Sequence, residues 1–495
     1  MEVLKDKLSI IAESIHFLLP ELILVGAIVL FIIIDLIFKK QGNRIVHMMA
    51  LGVTMLLIVL GIVQLNSHPQ KSISLFLNML EFSQGALLWK IILDAGALFT
   101  LLIHLRNNLD RYRSEYVNIL LVMLLGGHLL VMSSNLLMVY LSIELLSIGA
   151  YILTVYSFKS RGYEAGIKYL LFGGVASAVL LYGLSLIYTF TGTLHFVTPG
   201  FIESLMQIET LPLLVAGIMV IGGILFKITA APMHIWAPDV YQVAPTSSVA
   251  YFSIVPKLAG FAILIKWMLA INLFGLGEVP WPKIIGAIAI LTLTIGNFSA
   301  LRQTNIKRML AYSSIAHSGF LLLGIVAFST SGHQSLLFYA VIYLLMNMAA
   351  FALANMFEHK HGCLEVSDLK GMVKFYPYLT VLMVVIMIAL TGLPPTAGFT
   401  AKLLVFSAIW ESYTNTGQSW LVLVFIIGLL NAVVSLFYYL KIPYFMIFRN
   451  NEKEYASTGI QLENYLVTIL VVGILILFFK PDWLMDIINS INFAF

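Results

Sequence analysis

The sequence predicts an all-α polytopic membrane protein, and three observations carry that expectation. Of the 495 residues, 60% are hydrophobic and 11% charged, with a mean hydropathy of +0.97, which leaves too little polar surface to coat a water-soluble globule. The apolar runs are long and unalternating, as spanning helices of about 20 residues require and barrel strands of about 10 do not. Lysines and arginines concentrate in alternate connecting segments, the pattern of loops that face the cytoplasm on every second crossing.

Fourteen spans follow in order, near residues 15–38, 45–65, 86–105, 116–133, 135–157, 163–190, 211–243, 247–271, 282–300, 305–328, 334–357, 376–412, 419–446 and 460–479. The first follows Glu2, Lys5, Asp6, Lys7 and Glu13 without a small-residue cleavage site, so it is expected to remain in the mature protein. Two spans are interrupted. In the seventh, Lys227 precedes Pro232, Pro238 and Pro245; in the twelfth, Pro394 and Pro395 precede Lys402. Proline deletes a backbone donor, so a break at membrane depth is tolerated only where protein or a water-filled cavity satisfies the freed carbonyls. Each break falls in the fourth member of a five-span set, the fourth to eighth and the ninth to thirteenth spans, and an odd number of helices inverts the second set. The expected organisation is a three-helix region (1–115), a first five-helix repeat (116–271), an inverted second repeat (272–446) and a last helix (447–495). The repeat rests on this spacing and not on residue identity.

Seventeen of the 28 lysines and arginines lie in loops after odd-numbered spans; the other side holds Lys5, Lys7, Lys71, Lys90, Lys283 and Lys480. Both termini are therefore expected on the non-cytoplasmic side. The net charge of +4 reports this asymmetry and not a nucleic acid or other acidic partner. A single cysteine, Cys363, excludes an intrachain disulfide and an iron–sulfur cluster held by several of the chain's own cysteines. No Gly-Lys dipeptide exists to build a P-loop for ATP, and no strand-associated G-x-G-x-x-G to hold a dinucleotide. Glu358, His359, His361, Cys363 and Glu365 are ligand-like residue types in a polar loop, but their spacing matches no recognised zinc pattern. The chain is expected to bind no cofactor and no metal, so uphill ion movement takes its energy from elsewhere.

Five lysines lie inside apolar runs: Lys168, Lys227, Lys257, Lys266 and Lys402. An ionisable group at that depth costs about 2.5–3.5 kcal/mol and normally marks a proton or ion path. Lys266, beside Trp267 near a span end, reads as a snorkelling anchor, and Lys168 has Glu164 as an i,i+4 partner. His128, beside Gly126 and Gly127, reads as a structural histidine on an apolar face. The fifth span places Tyr140, Glu144, Ser147 and Tyr151 on one helical face. The tenth offers Ser313 with His317 and Ser314 with Ser318, the eleventh Tyr339, Tyr343 and Asn347, and the thirteenth Asn431 and Ser435. Glu144, Lys227, Lys257, His317 and Lys402 fall near mid-span, with Lys168 closer to the cytoplasmic face.

Lysine suits such a row because a buried ammonium can release its proton, whereas a guanidinium effectively never does. A carboxylate about 4 Å away restores roughly 4 kcal/mol at an effective dielectric of about 20. Movement of Glu144 relative to Lys227 therefore switches the lysine between holding and releasing. Polar groups that merely join helices account well for single serines and tyrosines, and poorly for charges at mid-span.

At these residues the sequence resembles the antiporter-like proton-translocating membrane subunits of respiratory complex I, which are themselves similar to Mrp-type cation/proton antiporter subunits. The likeness is carried by Leu141-Ser142-Ile143-Glu144-Leu145, by Glu164 through Leu170, and by Phe226-Lys227 leading into Ala231-Pro232-Met233-His234-Ile235-Trp236-Ala237-Pro238. Lys257-Leu258-Ala259, Lys307 through Gly319, and Pro394 through Lys402 extend it. Within that family it is most similar to the subunit N branch of bacterial NADH–quinone oxidoreductase: the twelfth span carries Lys402 where the subunit M branch has glutamate, and the chain stops soon after the fourteenth span.

The resemblance implies that Glu144 modulates Lys227, that Lys257 and His317 relay protons, that Lys402 exchanges with one side of the membrane, and that Lys168 serves the input side. It also implies flavin, iron–sulfur clusters and quinone in partner subunits. Neighbouring antiporter-like subunits and the lipid bilayer are the expected surroundings, in a bacterial inner membrane. The alternatives are a subunit of a Mrp-type Na+/H+ antiporter and a non-conducting scaffold.

Overall fold

The computed structural model describes residues 2–67, 72–105, 113–158, 160–272, 279–450 and 462–491. In chain order the helices begin with α1 (Glu2–Phe17), α2 (Leu19–Ser67), α3 (Gln84–His104), α4 (Arg113–Met132), α5 (Leu136–Val155) and α6 (Ser160–Thr191). The next are α7 (Pro199–Met206), α8 (Thr210–Lys227), α9 (Trp236–Val243), α10 (Thr246–Asn272), α11 (Trp281–Leu301) and α12 (Ile306–Val326). The series closes with α13 (Thr330–His361), α14 (Pro377–Thr391), α15 (Ala397–Thr416), α16 (Ser419–Phe448), α17 (Leu462–Phe479) and α18 (Asp482–Ser490). One feature departs from the all-helical expectation: a hairpin of β1 (Ile73–Leu75) and β2 (Leu80–Phe82), paired antiparallel with Ile73 opposite Phe82.

Local chemistry sets many of the boundaries. Pro20 lacks the N–H that would carry the ladder of α1 into α2, so the first predicted span starts on one helix and finishes on another. The helix assigned to α2 doubles back. A Cβ built on Gly42 would lie 3.2 Å from the Asp35 Cα, whereas residues that far apart in a straight helix are separated by about 10 Å. Its arms, Leu19–Phe38 and Gly42–Ser67, are separate crossings. Side-chain oxygens of Ser83, Asn135, Asn305 and Ser329 accept first-turn N–H groups at the starts of α3, α5, α12 and α13.

Among the described residues, twelve helices are long and apolar enough to cross a membrane, and a thirteenth crossing is made if α17 and α18, bent by 79°, count as one. The twelfth predicted span is the pair α14 and α15, divided at the Pro394-Pro395 break. The seventh is α8 and α9, divided after Lys227. The chain is a multi-pass helical membrane protein.

It forms two compact units. The first comprises Met1–Ile228, Ile254–Trp281 and Ile491–Phe495; in it α2, α3 and α4 pack together, α5 lies on α4 and α6, and α6 lies on α8. The second comprises Thr229–Ser253 and Pro282–Ser490; in it α13 packs on α12, α15 and α17, α9 packs on α12, and α14 packs on α16.

Candidate functional site

In the first unit, the apolar sequence of α8 holds a helix to its last residue, Lys227, beyond which Thr229 takes φ +55° and the Ala231–Pro232 peptide is cis. Lys227 therefore occupies the carbonyl-bearing end of a half-helix, where a cation is electrostatically favoured. Its side chain is 4% exposed and its Nζ makes no hydrogen bond. The charge acting on it is Glu144 of α5. Ser177 of α6 donates a hydrogen bond to Glu144 Oε1, so the carboxylate is held by a hydroxyl. Lys257 is wholly buried in α10, directly after Pro256, which withdraws one donor from the helical ladder.

In the second unit, His317 of α12 is held at both ring nitrogens by tyrosine hydroxyls, Nδ1 by Tyr339 at 2.9 Å and Nε2 by Tyr439 at 3.0 Å. Ser313 is hydrogen-bonded to the same Tyr439 hydroxyl, and Ser314 pairs with Tyr343 at 2.8 Å. All of these groups are buried. Hydroxyls both donate and accept, so a proton entering one end of such a chain can be matched by one leaving the other.

Lys402 of α15 lies at the other break. Gly392 ends α14 at φ +82°, the left-handed conformation that favours glycine, and a Cβ there would meet the Lys402 Cδ at 2.6 Å. Both constraints exclude a side chain at Gly392. The Lys402 Nζ donates to the Thr391 carbonyl at 2.7 Å, with the Leu390 carbonyl at 3.4 Å, and lies 4.3 Å from the centre of the Phe320 ring. The two breaks thus share a chemical device, an ammonium at the carbonyl end of a half-helix, although Lys227 precedes its break and Lys402 follows it. Lys402 also lines a cavity of 940 Å³ whose wall is mainly apolar, with Leu403, Phe406, Phe425 and Val433 among the lining residues.

Other expected residues sit differently. Lys168 is an exposed partner of Glu164, 2.7 Å away on the same helix, with its side chain 47% exposed; it is not gathered with the buried groups. Lys266 does not snorkel: it is buried, paired with Glu81 of β2 at 2.9 Å and bonded to the Ser133 carbonyl at 3.1 Å. The hairpin brings that carboxylate to it. Lys90, which falls within the third expected span, is a buried side chain of α3, 2.6 Å from Glu21. The face of His128 is not apolar either, since Glu21 and Asp94 each lie 2.9 Å from one of its ring nitrogens. The i,i+4 spacing of Lys90 and Asp94 inside a span was the available sequence signal for this group.

Glu358, one of the ligand-like residues, is bound instead by Lys307 at 3.0 Å and by the Thr246 hydroxyl, while Lys307 also donates to the Ala244 carbonyl at 3.2 Å. Beside it Arg308 holds Asp239 of α9 at 2.7 Å. The Arg308–Asp239 pair and the Lys307 bond to Ala244 fasten the short helix α9 to α12, while Glu358, in the last turns of α13 and not in a loop, ties that helix to the same lysine. Glu358→Ala strands the nearly buried Lys307 ammonium and is expected to cost about 2 kcal/mol, below the usual penalty for a fully buried pair because Glu358 is partly exposed. A lower midpoint for thermal inactivation of the assembled protein checks this.

Buried ionisable groups at the ends of interrupted helices recur in one class, the polytopic membrane proteins that move protons or other ions. The family model described as NADH:quinone oxidoreductase/Mrp antiporter, transmembrane, matches residues 133–431, and the chain belongs to that family. The NADH-quinone oxidoreductase subunit N of Anaeromyxobacter sp. (strain Fw109-5) is 36% identical over 446 residues, which cover 86% of this chain and 85% of that protein. A chain of respiratory complex I from Thermus thermophilus, solved with bound aureothin, has 28% identity and a TM-score of 0.79 over 94% of this chain and 99% of its own. A chain of the Mrp complex from Dietzia sp. DQ12-45-1b, 17% identical, shares the fold with a TM-score of 0.83 over 95% of this chain and 96% of its own.

Proposed function

We propose that the chain is the subunit N-type membrane subunit of a proton-translocating NADH–quinone oxidoreductase, moving protons while partner subunits reduce quinone. The observation that carries this reading is the buried Lys227 ammonium, without a hydrogen bond at the carbonyl end of the interrupted helix α8. The proton row runs through Glu144, Lys227, Lys257, His317 and Lys402, and Lys168 serves as an outer collecting group beside Glu164. Lys402 exchanges protons with one side of the membrane.

Flavin, iron–sulfur clusters and the quinone site belong to partner subunits, and other antiporter-like subunits adjoin this one. The names and coverage of the relatives support that assembly. The chain resides in a bacterial inner membrane with both termini on the non-cytoplasmic side, as the loop charges favour. Residues 116–271 and 272–446 act as inverted halves. Support comes from the breaks themselves: a residue at positive φ, Thr229 or Gly392, stands three positions before Pro232 or Pro395 in each.

The test is isolation of the tagged chain with its native partners, reconstitution into vesicles and measurement of proton uptake driven by NADH oxidation with added quinone. Uptake that needs quinone turnover and is indifferent to sodium is expected. Proton flux that requires sodium and proceeds without NADH would overturn the proposal in favour of an antiporter.

A further inference from the structure

We infer that Asn297 and Asn431 are positioning residues for proton transfer: through Tyr438 they hold neutral His317 with its hydrogen on Nε2, so that Nδ1, facing Tyr339, takes up and gives back the mobile proton. This rests on the function proposed above, which places His317 in the proton row. The residues come from α11, α12, α13 and α16 of the second unit and are all buried.

Two backbone carbonyls set the direction of the network. Asn431 Nδ2 lies 3.0 Å from the Ile427 carbonyl, and Asn297 Nδ2 lies 3.0 Å from the Leu293 carbonyl. A carbonyl only accepts, so the nitrogen of each amide must be the atom that faces it, and neither amide can be turned over. The Asn431 oxygen then accepts from Asn297 Nδ2 at 3.2 Å, and the Asn297 oxygen accepts from the Tyr438 hydroxyl at 3.1 Å. Tyr438 therefore gives its hydrogen away from His317. Its ring lies 4.3 Å from that of Tyr439, and its oxygen interacts with the hydroxyls of Ser313 and Tyr439. Toward them it can only accept.

Counting hydrogens separates the two neutral forms of the ring. A hydrogen on Nε2 goes to the Tyr439 oxygen at 3.0 Å, the Tyr439 hydrogen goes to Ser313, and the Ser313 hydrogen goes to Tyr438. Tyr339, whose hydroxyl lies 2.9 Å from Nδ1, donates to that bare nitrogen. Every hydrogen then has an acceptor, and the bonds run head to tail from His317 to the Ile427 carbonyl. A hydrogen on Nδ1 goes instead to Tyr339, whose own hydrogen loses the ring as its acceptor. Tyr439 must then turn to Nε2 and Ser313 to Tyr439, which leaves the Tyr438 oxygen without a donor. A buried polar group left unmet is costly, so the Nε2–H form is selected. An arriving proton enters on the α13 side: the Tyr339 O–H bond breaks as an N–H bond forms at Nδ1, and the arriving proton restores the Tyr339 O–H, with no electrons exchanged.

The test reads the ring in the intact complex by solid-state NMR of nitrogen-15 histidine at alkaline pH, with the His317 signal identified by its loss in His317→Gln. Protons taken up per NADH are measured on the same preparations. The wild type is expected to show the Nε2–H form. Asn297→Leu, which frees the Tyr438 hydrogen to turn back, and Tyr438→Phe, which removes only a hydroxyl, are expected to shift the ratio of the two forms roughly fivefold toward Nδ1–H. Uptake is expected to fall about threefold in both. A residue that only joined helices would change the yield of complex and not the form of the ring. An Nδ1–H or doubly protonated ring in the wild type overturns the inference, and this is readable whether or not the variants assemble. So does an unshifted ring in assembled variants, or a shifted ring with wild-type uptake while His317→Gln is impaired. Wild-type uptake in His317→Gln removes His317 from the proposed proton row and leaves the assignment of its hydrogen standing.

Discussion

Lys227→Ala is expected to lower quinone-coupled proton uptake by on the order of tenfold or more, while the complex assembles and oxidises NADH when uncoupled. The expectation follows from where the ammonium sits. It ends α8, is almost wholly buried and makes no hydrogen bond, so its removal deletes a titrating group without leaving a structural partner stranded. Truncating an alkyl chain at this site opens a cavity, which lowers stability, but the apolar packing of α6 on α8 remains to hold the element in place. Uptake per NADH, measured in vesicles with the amount of assembled complex matched, separates the two effects. A residue that only packed would change the yield of complex and not the ratio.

The second large effect concerns Lys402 and divides charge from proton release. Lys402→Met removes the donor from the Thr391 and Leu390 carbonyls at the end of α14, so both stability and uptake are expected to fall. Lys402→Arg keeps a cation for those carbonyls and for the Phe320 ring, yet a guanidinium does not give up its proton. It is therefore expected to preserve the thermal midpoint of the methionine-sensitive region while uptake falls by about tenfold, as loss of an acid–base group does. Thermal inactivation and proton uptake on the same preparations check the split. If arginine restores uptake, Lys402 serves as a fixed charge and not as a carrier.

The crossings and both breaks were legible in the sequence because hydropathy and proline act locally. Lys227, Lys257 and Lys402 stood out for the same reason: a lysine in an apolar run is conspicuous whatever surrounds it. What pairs with a buried charge is decided by helices distant in sequence, and there the reading failed. Lys266 is neutralised by Glu81 from a hairpin that no span pattern foretells, and His128 joins Glu21 and Asp94 across three helices. The anchoring of Lys402 by Thr391 was hidden as well, since it depends on the angle at which the chain re-enters after Pro395. Lys168 shows the converse case, in which a partner four residues away on its own helix accounts for its position.

In the proposed function Glu144 controls whether Lys227 keeps its proton, and a double-mutant cycle measures that control directly. Proton uptake per NADH is compared among the wild type, Glu144→Ala, Lys227→Ala and the double variant, all assembled to the same level. If the carboxylate acts through the ammonium, Glu144→Ala lowers the ratio in the wild-type background and adds nothing once Lys227 is gone. Independent losses that multiply in the double variant would contradict it.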